Sequence, residues 1–206
     1  MIVFINTRRI TTYFDDFDDI TCRKSGEMEE NMEYFDLVQA RYSYRGEFES
    51  TPVPKDDLIK IVTAGIHAPS AGNMQSQRFY IVTDAEIIAK IRETFNQKGV
   101  ATAPALILLV SKLLKFGPEN KDSPFELQDY GAAAQNVLLA IADLGYATVW
   151  TDGQTNFNKD FQEKINELLD LPEDTTVRAV LPVGIPKDKG GAQPARKPFD
   201  ELVTFL

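Results

Sequence analysis

Apolar and polar positions alternate weakly over the first thirty or so residues and strongly after them. Leu58, Ile61, Val62, Gly65 and Ile66 recur at helical spacing; Pro54, Asp56 and Asp57 open that helix and Pro69 stops it. A short helix precedes Arg41. Residues 78–82 read as a strand, 84–96 as a helix and 105–110 as a buried central strand. A strong helix with alanines along it follows at 129–144, then a strand at 147–151, a helix at 158–169 and an apolar strand at 177–183. Gly117, Pro118 and Pro124 mark 112–126 as largely loop. This alternation of elements predicts a helix-covered sheet without fixing parallel or antiparallel pairing. Residues 1–33 break the pattern. Asp15, Asp16, Asp18 and Asp19 interrupt the aromatics, and 23–31 is polar and highly charged. The segment is expected to be a poorly ordered leader, with Met28 and Met32 as candidate translation starts that an intact mass would decide between. Residues 34–206 read as one domain.

Composition narrows the classes. A chain of 206 residues with 43% hydrophobic and 26% charged content carries one domain with a real core. A net charge of -9 leaves no basic surplus to displace phosphate counterions, which argues against a nucleic-acid partner. Cys22 and His67 are the only cysteine and the only histidine, so an internal disulfide, a multi-cysteine metal site and a histidine-rich metal centre are excluded. No apolar run is long enough to span a bilayer, and the first ten residues lack a signal-peptide core, so a cytoplasmic protein without a membrane partner is the expectation.

Four stretches carry candidate chemistry. Arg41-Tyr42-Ser43-Tyr44-Arg45 places cations and a hydroxyl at alternate positions, a pattern suited to one dianionic group; alone, it reads more readily as a solvated helix end. The loop Ala68-Pro69-Ser70-Ala71-Gly72-Asn73-Met74-Gln75 lies between a helix and a strand. Its small residues let a flat ligand approach the backbone, and the amides of Asn73 and Gln75 offer both donors and acceptors; a well-capped turn is the plainer alternative. At Thr151-Asp152-Gly153 a strand end followed by glycine is able to aim backbone N–H groups at a ligand. Arg196 and Lys197, between Pro194 and Pro198, form a stiff basic tail on an acidic chain. His67 receives no role. A hydrolase using Ser70 fails, since there is no nucleophile elbow and His67 is the sole possible base.

In order and spacing these stretches resemble the FMN-dependent nitroreductase family over roughly residue 34 to the C-terminus. The loop at 68–75 and the run Asp129-x-x-Ala132-Ala133-Ala134-Gln135-Asn136 through Gly145 are the most specific parts. The resemblance implies an α+β fold: a mostly antiparallel central sheet wrapped by helices in three α/β/α layers, in an intertwined homodimer with FMN at the dimer interface. Matched by position, Arg41, Ser43 and Arg196, with Lys197 beside it, would hold the FMN phosphate and ribityl chain, with Tyr42 where a second basic residue is common. Arg45 would lie beside N1 and the C2 carbonyl, and is the one residue assigned a catalytic role. Pro69, Ser70, Ala71, Asn73 and Gln75 would reach the flavin of the partner subunit, Asp152 and Gly153 would lie near N5, and Asn96 near the pyrimidine edge; no metal is implied. Gln77-Arg78 departs from a frequent Pro-Trp, and the short 112–126 segment leaves the pocket less covered. The implied activity is ping-pong transfer of electron pairs from NAD(P)H to a small acceptor such as a nitroaromatic or quinone. The alternatives are a flavin-fragmenting or dehalogenating enzyme of the same family and a non-catalytic flavin-binding dimer.

Overall fold

Strand β4, Ala105–Lys112, is the most apolar segment of the chain, and seven of its eight residues are buried, so both faces of the sheet around it must be covered. The computed structural model describes residues 2–6, 9–13, 33–95, 97–117, 119, 121–123, 125–153, 155, 158–188 and 191–206. Its main sheet has the order β2-β1-β3-β4-β7, from Arg9–Tyr13 (β2), Ile2–Asn6 (β1), Gln77–Val82 (β3), β4 and Thr175–Val183 (β7). Only β1 with β3 is parallel; the other three pairings are antiparallel. A small hairpin, Lys115–Phe116 (β5) and Lys121–Asp122 (β6), occupies part of the segment expected to be loop.

The strands' alternation assigns each face its helices. Phe79, Ile81, Ala105, Ile107, Leu109, Ala179 and Leu181 pack with α2 (Lys55–Ile66) and α5 (Glu126–Asp143). Tyr80, Val82, Leu106, Leu108, Val110 and Val180 pack on the other face with α3 (Ala85–Thr94), α4 (Lys98–Thr102) and α6 (Lys159–Leu169). The result is the three-layer α/β/α arrangement. Small residues set its depth on the α2 and α5 side. Ala133 and Ala134 are fully buried, and a Cβ on Gly65 would stand 2.7 Å from Val137 Cγ2, so α2 and α5 approach closely. Asn136 Nδ2 donates to the Ala64 carbonyl at 3.0 Å and pins the pair.

Two expectations need correction. The segment 147–151 is not a strand: it makes single bridges, Ala147 to Gly184 and Thr151 to Val180, and the Thr148 carbonyl accepts from Tyr44 N–H at 2.8 Å. It meets β7 and the residue after it only at those two bridges, and on its other side it meets the irregular 41–45 stretch, so no ladder propagates. Within the supposed poorly ordered leader, 2–6 and 9–13 form strands; their runs of β-branched and aromatic residues supply the propensity, and β3 supplies an open edge. The remainder of that leader, 14–32 with both candidate start methionines, lies outside the described residues. Among the described residues no helix is long and apolar enough to cross a membrane.

Candidate functional site

The stretch holding Arg41, Ser43 and Arg45 leaves helix α1 (Tyr34–Ala40) and runs beside the irregular 147–151 segment. The bond from Tyr44 N–H to Thr148 fixes that alignment, and Glu49 N–H to Ile185 O and Lys187 N–H to Glu47 O (2.8 and 2.9 Å) tether its continuation to the chain after β7. Tyr44 is turned inward and buried, so its neighbours Ser43 and Arg45 project the other way; Ser43 is half-buried and Arg45 exposed. Arg41 and Tyr42 border a cleft of about 190 Å³ with Leu138, Ile141 and Tyr146.

The C-terminal segment comes back to the same place. Gln193 Nε2 donates to the Val38 carbonyl of α1 at 2.7 Å, and Gln193 Oε1 accepts from Arg196 Nη2 at 2.9 Å. Arg196 is thereby held near Arg41. Burial, and then the positive charge of Arg196, push the Arg41 guanidinium below its ordinary value. Among the described residues neither guanidinium forms an ion pair with a carboxylate. Two cations, 155 positions apart by residue number, therefore converge without a counter-ion, and such an arrangement favours an anion between them. Lys197 instead pairs with Glu201 at 3.6 Å along α7 (Phe199–Leu202).

The 68–75 loop is organised from a distance. Buried Asp129, in the first turns of α5, accepts from Ala71 N–H at 2.9 Å and from the Ser76 hydroxyl at 3.1 Å. Within the loop Ser70 Oγ accepts from Gln75 N–H at 3.0 Å, and the Ser70 carbonyl from Asn73 N–H at 3.0 Å. Gly72, Asn73 and Gln75 have φ of 55°, 56° and 49°. Left-handed backbone is free for glycine and tolerable for asparagine, but strained for glutamine. Pro69, Asn73 and Gln75 are exposed and Ser70 and Ala71 half-buried, so the loop presents its edge outward. Among the described residues no hydrogen bond or ion pair joins it to the 41–45 stretch or to Arg196.

Asp152 and Gly153 end the 147–151 segment. The Thr155 hydroxyl lies within hydrogen-bond distance of the Asp152 carbonyl (2.7 Å) and the Arg178 carbonyl (2.6 Å). Arg178 is the extra residue of a β-bulge in β7, where the register against β4 slips between Leu109 and Val110. Gln162 satisfies the disturbed ladder, its amide bonding both the N–H and the carbonyl of Val177 (3.1 and 2.6 Å). The bulge turns Arg178 toward Glu126, and the two form a largely buried ion pair. Beside them Tyr130 packs edge-to-face on Trp150, with centroids 5.4 Å apart. Burial, and then the charge of Asp152, push the Tyr130 hydroxyl far above its ordinary value. The expected site residue Asn96 lies outside the described residues.

Sequence reasoning placed Asp129 at the helix start and missed its work as the loop's tether, along with Tyr130, Arg178 and Glu126. One signal existed: Asp129 stands four residues before Ala133 and eight before Val137, on the apolar stripe, where an unpaired acid is not tolerated. The bulge at Arg178 leaves no such mark.

Comparison with known proteins agrees with this architecture. The model of the nitroreductase family matches residues 38–101 and 92–185. An Archaeoglobus fulgidus protein with the provisional name NADH dehydrogenase/NAD(P)H nitroreductase is 32% identical over 158 residues, 74% of this chain and 85% of its own. Among solved structures, a nitroreductase family protein from Clostridium novyi superposes with a TM-score of 0.65 at 28% identity, covering 76% of this chain and 87% of that one. A Desulfovibrio desulfuricans protein, provisionally a nitroreductase and solved in complex with FMN, gives 0.69 at 25%, covering 84% and 95%. With the family model spanning most of its length and a relative 32% identical over 74% of it, the chain belongs to the nitroreductase family.

Proposed function

We propose that this chain is a cytoplasmic NAD(P)H-dependent oxidoreductase that holds FMN between two copies of itself and passes electron pairs to a small organic acceptor such as a nitroaromatic or quinone. The observation that carries the reading is that Arg41 and Arg196 lie near each other with no carboxylate partner among the described residues. FMN fits the donor set: its phosphate is the dianion that two forked cations and the half-buried Ser43 hydroxyl suit. The group, when bound, supplies two-electron redox chemistry. Arg41, Arg196 and Ser43 would anchor the phosphate end. Arg45, exposed and on the same side of the strand-like stretch, would face the ring edge where negative charge develops and stabilise it. The outward-facing 69–75 loop, strained at Gln75 and tied back by Asp129, would reach the partner subunit's cofactor through Pro69, Ser70, Ala71, Asn73 and Gln75. Backbone at Asp152–Gly153 would border the reacting edge of the ring, Asn96 would lie at the pyrimidine edge, and Lys197, already paired with Glu201, would add only long-range charge.

Titration of the purified protein with FMN tests this, with Arg41→Ala and Arg196→Ala beside it. Each variant removes a charge-assisted contact of about 1.5–3 kcal/mol, so Kd is expected to rise by about 10- to 100-fold with no loss of thermal stability. Anaerobic NADH or NADPH should bleach the bound flavin, and a quinone should restore it with FMN intact. Bleaching fails for a mere flavin binder, and FMN is consumed by a flavin-fragmenting enzyme. Protein that takes up no FMN overturns the proposal.

A further inference from the structure

Tyr130 is 7% exposed, and among the described residues its hydroxyl proton has no acceptor. The buried indole N–H of Trp150 lies beside the hydroxyl oxygen, outside good hydrogen-bond geometry, and as a donor it leaves that proton unpaired. A buried orphan hydroxyl is destabilising, so its retention asks for a partner acquired in another state. A candidate acceptor is the half-buried Asp152 carboxylate, two residues beyond Trp150 in sequence, whose charge bears on the hydroxyl. The backbone of Asp152 is held at its carbonyl by the Thr155 hydroxyl.

We infer that Tyr130 is a positioning residue for the reaction proposed above: when a ring system settles against the Asp152–Gly153 turn, the Tyr130 hydroxyl donates to the Asp152 carboxylate and locks the turn in place. The inference rests on the flavin reading. It also gives the first turns of α5 two duties at consecutive residues, since Asp129 tethers the 68–75 loop and Tyr130 secures the 150–153 turn.

The test compares wild type with Tyr130→Phe, Asp152→Asn and the double variant. Melting temperature is read without and with saturating FMN, and FMN affinity and the kcat and KM for menadione with NADPH are measured on each. Tyr130→Phe removes only an orphan in the free protein, so its cofactor-free melting temperature is expected to equal or exceed that of wild type. Its FMN Kd should rise at least fivefold, or its kcat fall at least fivefold with the cofactor bound. Asp152→Asn should give a similar loss and the double variant no more than the single ones, since one hydrogen bond is removed in all three. A lowered cofactor-free melting temperature with unchanged affinity and kcat marks a merely structural tyrosine and overturns the inference, as do strictly additive losses. If Tyr130→Phe does not fold, Trp150→Phe replaces it; unchanged affinity and kcat there also overturn the inference. Wild type that binds no FMN fails the flavin reading itself, whereas wild type that binds it beside an unaffected Tyr130→Phe fails only this inference.

Discussion

Removing Asp129 probes the link between core packing and the loop. In Asp129→Ala the Ala71 N–H and the Ser76 hydroxyl lose their acceptor, and Ser76 is 3% exposed, so its hydroxyl has no ready solvent. Two hydrogen bonds to a carboxylate are worth about 1.5–3 kcal/mol each, so a loss of about 3–5 kcal/mol is expected. A domain of this size shifts its Tm by about 2–4 °C per kcal/mol, which puts the melt of the cofactor-free protein about 6–20 °C lower. Asp129→Asn is milder. Its amide oxygen still accepts from Ala71 N–H while its nitrogen donates to a rotated Ser76 hydroxyl, so about 1 kcal/mol, or 2–4 °C, is lost. Adding Ser76→Ala to Asp129→Ala should recover part of the loss, because it deletes the orphaned hydroxyl instead of leaving it buried. Calorimetry of the four proteins is the assay. An Asp129→Ala melt within about 2 °C of wild type would refute the claim that this carboxylate tethers the loop.

Other consequences follow from single residues. Gln75→Gly relieves a left-handed residue at about 1 kcal/mol but adds about 0.5 kcal/mol of unfolded-chain entropy, so Tm is expected to rise by about 1–2 °C; a fall of more than 2 °C by calorimetry contradicts the strain. Gly65→Ala drives a methyl against Val137 and Phe79 and should destabilise by about 1–3 kcal/mol in a urea melt; a neutral effect would show that α2 and α5 are loosely packed. Tyr146 donates to Asp57 at 2.8 Å, and burial, then that bond and the Asp57 charge, raise its pKa to about 12. Its contribution is full below the unfolded tyrosine value near 10 and is lost as pH rises from there through about 12. Discounted for solvent screening it is about 1 kcal/mol, and Tyr146→Phe should flatten that part of the alkaline stability curve; an unchanged slope between pH 10 and 12 refutes the assignment.

Periodicity made the layers legible. The stripe Leu58, Ile61, Val62 and Gly65 and the double-faced run at 105–110 each report burial through local spacing alone, and the structure buries them as read. Arg41, Ser43 and the 68–75 loop were singled out by their match in order and spacing to the family's motifs, since arginine and serine at a helix end read equally well as solvated surface. The failures share a cause. The segment 147–151 has the composition of a strand, but whether it pairs depends on Tyr44 and on residues 180–184, which no local window contains. The edge of β3 that receives β1 is likewise a fact about another part of the chain.

The site itself is a stronger case of the same limit. Its central connection runs from Ala71 to Asp129, 58 residues apart, and from Tyr130 to Trp150, while the bulge that aims Arg178 at Glu126 exists only because β4 and β7 differ by one residue in register. Local bonds to Ser70 shape the loop, and the bond from Ala71 N–H to a distant carboxylate adds to what offsets the strain at its glutamine. A buried carboxylate needs donors in return, and the loop supplies both of Asp129's. Each half is unstable alone, which explains how an acid comes to sit on the apolar stripe of α5. At Asp129 folding stability and the shape of the candidate site therefore become one quantity, and a substitution of that residue should change both or neither.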